Sequence, residues 1–195
     1  MRKPKLSIED LQSFATEYLP DVTVSWKALK HEAEPIYHTS GEAVLDQNQI
    51  YLHPRMRLGE GNQLPIDLLE DNTYYIYKPE ETVTLEEGEQ YFFWLLHEIA
   101  HFKITVPPTE KFIRIKARVE REYPNDRAKQ LHWAAHYVRD DLLAHWTASE
   151  MFESHDVEWW IFSGRRLMTE EKLAQDWAIA EFKRRRNDIQ AILNR

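Results

Sequence analysis

The run Trp94-Leu95-Leu96-His97-Glu98-Ile99-Ala100-His101-Phe102 constrains this chain more than any other stretch. It sets His-Glu-x-x-His in an apolar segment free of glycine and proline. On an α-helix, residues four apart project from one face, one turn apart. His97 and His101 can therefore converge on one ion, and neutral imidazoles hold Zn²⁺ at about 2.0–2.1 Å each. Glu98 sits beside them, placed to take a proton from a metal-bound water rather than to bind the metal. A metal that acidifies water, with a carboxylate to remove the proton, is the core of hydrolytic zinc chemistry. The neighbours give the pattern its weight. Tyr91, Phe92, Phe93, Trp94, Leu95, Leu96, Ile99 and Phe102 leave this helix little polar surface. Two imidazoles and a carboxylate buried there need partners. One metal supplies a partner for all three, and a satisfied core cluster is the alternative.

The chain has 195 residues, 43% hydrophobic and 12% aromatic, enough for a substantial core. These numbers suit a single domain over 1–195, possessing an N-terminal helix, small sheet and long loop (1–83), metal-site helices (84–154) and a C-terminal helical appendage (155–195). The net charge of −8 gives no bulk attraction to nucleic acid. Cysteine is absent, so any zinc site must use histidine and carboxylate ligands. No apolar segment follows the basic start Met1-Arg2-Lys3-Pro4-Lys5, and no run of about 18 apolar residues occurs. No secretory signal or membrane span is expected, and a soluble cytoplasmic protein is the expectation.

In chain order, Ser7 to Tyr18 reads as a helix, with Ser7 and Asp10 as its capping pair and Ile8, Leu11, Phe14, Ala15 and Tyr18 as its apolar stripe. Val22, Val24 and Trp26 alternate with polar residues as a half-buried strand. Ile36–His38, Glu42–Leu45 and Gln49–His53 read as further strands of a small antiparallel sheet. Pro54 to Thr82 shows no clear periodicity, as loops bordering clefts often do. Thr84 with Glu87 reads as a capping box opening the His97–His101 helix, with Gly88 inside it. Further helices are expected over Glu110–Arg121, Asp126–Glu153 and from Thr169 to about Leu193.

Two histidines make a weak site, so a third protein ligand is required. At about 100° per residue, Leu131, Ala134, Val138, Leu142, Ala148 and Phe152 line one side of the Asp126–Glu153 helix, and Asp141 and His145 fall in that stripe. A charge in an apolar stripe is costly unless paired or metal-bound. Asp141 is the expected third ligand, and His145 its partner or the alternative ligand. His132, His136 and Asp140 lie on the polar side with Lys129 and read as a solvated face.

His-Glu-x-x-His followed on a later helix by an acidic residue and Leu-x-Ala resembles the gluzincin group of zincin metallopeptidases. Over roughly residues 42–152 the chain is most similar to the ImmA/IrrE-type metallopeptidases. Their second motif is an acidic residue, two residues, Ala, then Asn or Asp, on an Ala-rich helix. Asp141-Leu142-Leu143-Ala144-His145 follows it in outline, with Asp for the usual Glu and His for Asn or Asp. The resemblance implies an α+β zincin-like fold, with a small antiparallel sheet over the active-site helix and a mainly helical C-terminal part. It implies zinc on His97, His101 and Asp141 or His145, Glu98 as general base, and peptide-bond hydrolysis of a protein or peptide substrate. Gln49–His53 takes the place of the family's strand before the active-site helix, where an edge strand can pair with an extended peptide. SprT-like proteases fit less well, because their third ligand is a histidine nearer the motif. Tyr137 is a candidate oxyanion stabiliser. The rival reading is a non-catalytic regulatory or interaction protein with a structural metal site. Lys183-Arg184-Arg185-Arg186 reads as a solvated helix end, and Trp159-Trp160 as packing residues rather than a partner patch.

Overall fold

The computed structural model describes residues 6–27, 41–56, 63–64, 83–142, 157, 160–161, 164 and 167–195, with the backbone alone at 63–64, 139–142 and 167–169. The described residues form an α+β structure with a small mixed sheet and five helices. Helix α1 spans Ile8–Thr16 and opens on the expected capping box. The Asp10 N–H donates to Ser7 Oγ and the Ser7 N–H to Asp10 Oδ2, each at 3.2 Å. Leu11, Phe14 and Ala15 carry its buried face.

Strands β1 (Thr23–Trp26), β2 (Gly41–Val44) and β3 (Gln49–Leu52) form a sheet in the order β1-β3-β2. The β2–β3 pair is antiparallel, with Ala43 opposite Ile50, and a 3₁₀ turn at Leu45–Gln47 with left-handed Asn48 (φ 50°) reverses the chain between them. The β1–β3 pair is parallel, with Val24 opposite Ile50. The sheet is thus mixed rather than antiparallel. Alternation of apolar residues marks a strand but carries no direction, and β3 enters between two strands that precede it. The expected strand at Ile36–His38 lies outside the described residues. A separate two-stranded ribbon pairs β4 (Gln63–Leu64) with β5 (Val83–Thr84).

Helix α2 (Glu89–Lys103) carries His97, Glu98 and His101. Its start differs from the expected capping box. Thr84 belongs to β5, and the N-cap is Gly88 at φ +99°. The positive φ favours glycine, and a Cβ there would push against the end of the Leu193 side chain, 2.8 Å away. Side chains from inside the helix reach back instead. The Glu86 N–H donates to Glu89 Oε2 (2.8 Å) and the Gly88 N–H to Gln90 Oε1 (2.7 Å).

Helix α3 is Glu110–Glu122, α4 is Arg127–Leu142 and α5 is Leu167–Leu193. The described chain divides into two compact units. The first holds α1, the strands, α2 and α5 from Leu173 onward. Its core joins Leu11 and Phe14 of α1, Val24, Ile50 and Leu52 of the sheet, Phe92, Phe93, Leu96 and Ile99 of α2, and Phe182 and Ile189 of α5. The second holds α3, α4 and the opening turns of α5, and buries Phe112, Ile115, Val119, Ala134, Val138 and Trp160. Trp160 is thus a core residue. Among the described residues, no helix is long and apolar enough to cross a membrane.

Candidate metal centre

Helix α2 lies against β2 and β3. His97 and Glu98 are 6% and 5% exposed. The four-residue spacing does what helical geometry requires: the Nε2 atoms of His97 and His101 are 3.2 Å apart. Trp94, one turn before His97, packs edge-on against its ring at 5.3 Å between centroids and limits its rotation. Two nitrogens bound tetrahedrally to one zinc at about 2.0–2.1 Å stand roughly 3.3 Å apart. The observed spacing fits that donor pair.

Ligand atoms of His97, His101 and Glu171 lie within 4.8 Å of one another, a group that could hold a metal ion. Glu171 is not among the ligands expected from the sequence, although its surroundings carry a similar pattern. Glu171-Lys172-Leu173-Ala174, with Ala178 and Ala180 beyond, repeats the acidic–two residues–Ala pattern that drew attention to Asp141. Of Asp141 only the backbone is described, within α4, and His145 lies outside the described residues.

Glu98 occupies a seat made by a glycine. A Cβ on Gly41 would fall 2.5 Å from Glu98 Oε1 and 2.7 Å from its Cγ, so the carboxylate arm runs across the bare Cα of the first residue of β2. The same residue lies on a sheet edge. The Thr23 N–H donates to the Asn48 carbonyl and the Lys27 N–H to the Leu52 carbonyl. The even-numbered residues of β3 therefore turn their main-chain groups toward β1, and Gln49 and Tyr51 turn theirs toward β2. Their partners Val44 and Glu42 face inward, which leaves the main-chain groups of Gly41 and Ala43 on the outer edge. Among the described residues no strand pairs with that edge. The expectation that Gln49–His53 supplies the edge is corrected: β3 is the central strand.

The other edge, β1, is blocked by a side chain. Gln12 Nε2 donates to the Val22 carbonyl (2.9 Å), and the Val24 N–H donates to Gln12 Oε1 (2.7 Å). One amide side chain thus stands where a neighbouring strand's peptide group would pair.

Tyr137 belongs to the second unit. Its hydroxyl donates to Glu122 Oε2 (2.8 Å), and the Arg118 guanidinium lies 3.8 Å from its ring centroid. That hydrogen bond raises the phenol pKa and is the leading cause of the lowered Glu122 carboxyl pKa. His132 and His136 are exposed on either side of Trp133, in keeping with a solvated face. The basic run is not a solvated helix end. Arg185 pairs with Glu17 (2.9 Å) and Asp188 (2.6 Å), and Arg186 with Glu89, midway along α5.

No protein-family model matches the chain, and neither the curated proteins nor the solved structures contain a match.

Proposed function

We propose that the protein is a zinc-dependent metallopeptidase of zincin-like build that hydrolyses peptide bonds in a protein or peptide substrate. The observation that carries this reading is the 3.2 Å approach of the His97 and His101 Nε2 atoms. It is joined by a carboxylate oxygen of Glu171 within ligand range and by a buried glutamate between the two histidines. His97, His101 and Glu171 would hold the metal. When bound, zinc supplies Lewis-acid polarisation of a carbonyl and an acidified water. Glu98 would receive the proton of that water and pass it to the leaving amine. The chain's other contribution is placement. The outer edge of β2 offers main-chain groups at Gly41 and Ala43 beside Glu98, where an extended peptide could add as a further strand.

Elemental mass spectrometry on protein purified without added metal, with hydrolysis of fluorescein-labelled casein alongside, tests the reading. About one zinc per chain is expected, retained in Glu98→Gln while hydrolysis falls at least about 100-fold. Zinc-loaded Glu98→Gln with full hydrolysis would remove Glu98 as base. A wild type that refuses offered zinc would remove the metallopeptidase reading. A zinc-bearing wild type without hydrolysis would favour the structural-site alternative.

A further inference from the structure

We infer that Gly41 is the positioning residue for Glu98, and that the absence of a side chain at the start of β2 holds the carboxylate in place. The inference rests on the proposed role of Glu98 as base, and its physical content stands apart from that role. Glu98 is 5% exposed and lies on the part of α2 that meets β2. Its side chain runs across Gly41. A single methyl group there would overlap three atoms of the arm: Oε1 at 2.5 Å, Cγ at 2.7 Å and Cδ at 2.9 Å. Contacts that close do not persist, so either the strand lifts from α2 or the carboxylate turns away.

Gly41 is paired with Leu52 in the sheet register, and Leu52 is fully buried. The glutamate is a chain of rotatable bonds, and it would be the group displaced. Gly41 is not required by backbone conformation: its φ is not in the left-handed region, unlike that of Gly88 and Gly164. Alanine is compatible with this backbone and loses less conformational freedom than glycine on folding. Glycine at this position leaves the space that Glu98 occupies.

A consequence follows for substrate alignment. Gly41 also directs its main-chain groups to the outer edge of β2, with which no strand pairs among the described residues, so a docked peptide and the base would share one residue as their common reference. A displacement of about 1 Å at such a point can lower turnover on the order of 100-fold without weakening binding.

The test is a double-variant cycle on the full chain, read by thermal unfolding and by casein hydrolysis. In the Glu98→Ala background, Gly41→Ala should raise Tm by about 1–3 °C, because only the strand preference remains. In the wild-type background the same change should lower Tm. A Tm change of equal sign and size in both backgrounds would overturn the inference. In hydrolysis, Gly41→Ala should lower kcat at least about 30-fold with KM within about twofold and zinc content unchanged. A hydrolysing wild type whose kcat is unmoved by Gly41→Ala would also overturn it. A wild type inert toward casein, with the Tm sign reversal intact, would count against the peptidase reading and leave the seat of Glu98 standing.

Discussion

Arg186 and Glu89 meet in a two-pronged ion pair, Nε to Oε1 at 2.9 Å and Nη2 to Oε2 at 2.8 Å, with the carboxylate wholly removed from solvent. Glu89 opens α2 and Arg186 lies midway along α5, so the pair ties the metal-site helix to the last helix. Gln190 donates to the same carboxylate (3.3 Å), as does the Glu86 N–H (2.8 Å). Arg186 Nη2 also donates to the Thr84 carbonyl (3.1 Å). Removing one partner of a buried pair leaves an uncompensated charge, which typically costs 3–5 kcal/mol. Arg186 is 35% exposed, so the low end, about 3 kcal/mol, is expected for Arg186→Ala. In a chain of this size that lowers Tm by roughly 6–12 °C. Glu89→Leu/Arg186→Met, which removes both charges, should recover most of the loss. A double variant no better than the single would show that the pair's worth lies in geometry rather than in charge compensation.

Tyr18 gives a pH signature. Its hydroxyl donates to Glu181 Oε1 (2.5 Å). Burial first, and then Glu181, push the phenol pKa from its ordinary 10 up to about 12. A group whose pKa is raised by folding adds stability below its unfolded value and loses it as pH climbs toward the folded one. The contribution is therefore complete below pH 10 and fades between 10 and about 12. The side chain is only partly buried, and solvent screening leaves about 1 kcal/mol of what a sealed group would give. Tyr18→Phe should melt about 2–4 °C below wild type at pH 8, with the gap closing as pH rises from 9.5 to 11.5. A gap independent of pH would show that the hydroxyl contributes nothing through its proton.

Gln12 makes the β1 edge unavailable by satisfying Val22 and Val24. Gln12→Ala would leave a donor and an acceptor without their protein partner, a cost of about 1–3 kcal/mol if they stay buried. It would also open an edge to pairing between copies. Glu at this position can accept from the Val24 N–H but would set a carboxylate against the Val22 carbonyl. Gln12→Glu should therefore be no more stable than Gln12→Ala at pH 7. Sedimentation velocity should show self-association of Gln12→Ala at concentrations where wild type shows none. A wild-type-like Tm and sedimentation profile in both variants would reduce Gln12 to an ordinary surface residue.

The periodic parts of this architecture were readable from the residues alone. Ser7 and Asp10 marked the start of α1 because a local hydrogen-bond box needs only local sequence, and the His97–His101 spacing is a property of the helix itself. Features that depend on distant partners were not readable. Thr84 and Glu87 have the form of a capping box, but pairing with Gln63 draws Thr84 into a strand and moves the helix start to Glu89. The order β1-β3-β2 is set by a crossover that leaves no mark in the alternation of Val22, Val24 and Trp26. Arg185 and Arg186 look like solvated charge until Glu17 and Glu89 are brought to them.

The proposed third metal ligand is a further case, since two stretches carry the same pattern. Asp141-Leu142-Leu143-Ala144 and Glu171-Lys172-Leu173-Ala174 each offer an acidic residue, two residues and an alanine. Asp141 drew attention because it sits in an apolar stripe, whereas Glu171 lies among charged neighbours, Glu170 and Lys172. Only the fold brings a Glu171 oxygen within 4.8 Å of the His97 and His101 ligand atoms. With Glu171 as the proposed third ligand, its removal leaves a two-histidine site, which is weak. Glu171→Ala should therefore lower zinc affinity at least about 100-fold, since loss of even a supporting hydrogen bond costs 10–100-fold. Asp141→Ala and His145→Ala should stay within about threefold of wild type. Competition with a chromogenic chelator reads all three. The reverse order, with Asp141→Ala losing zinc and Glu171→Ala keeping it, would return the third ligand to the Asp141 helix and leave Glu171 as a carboxylate near the site.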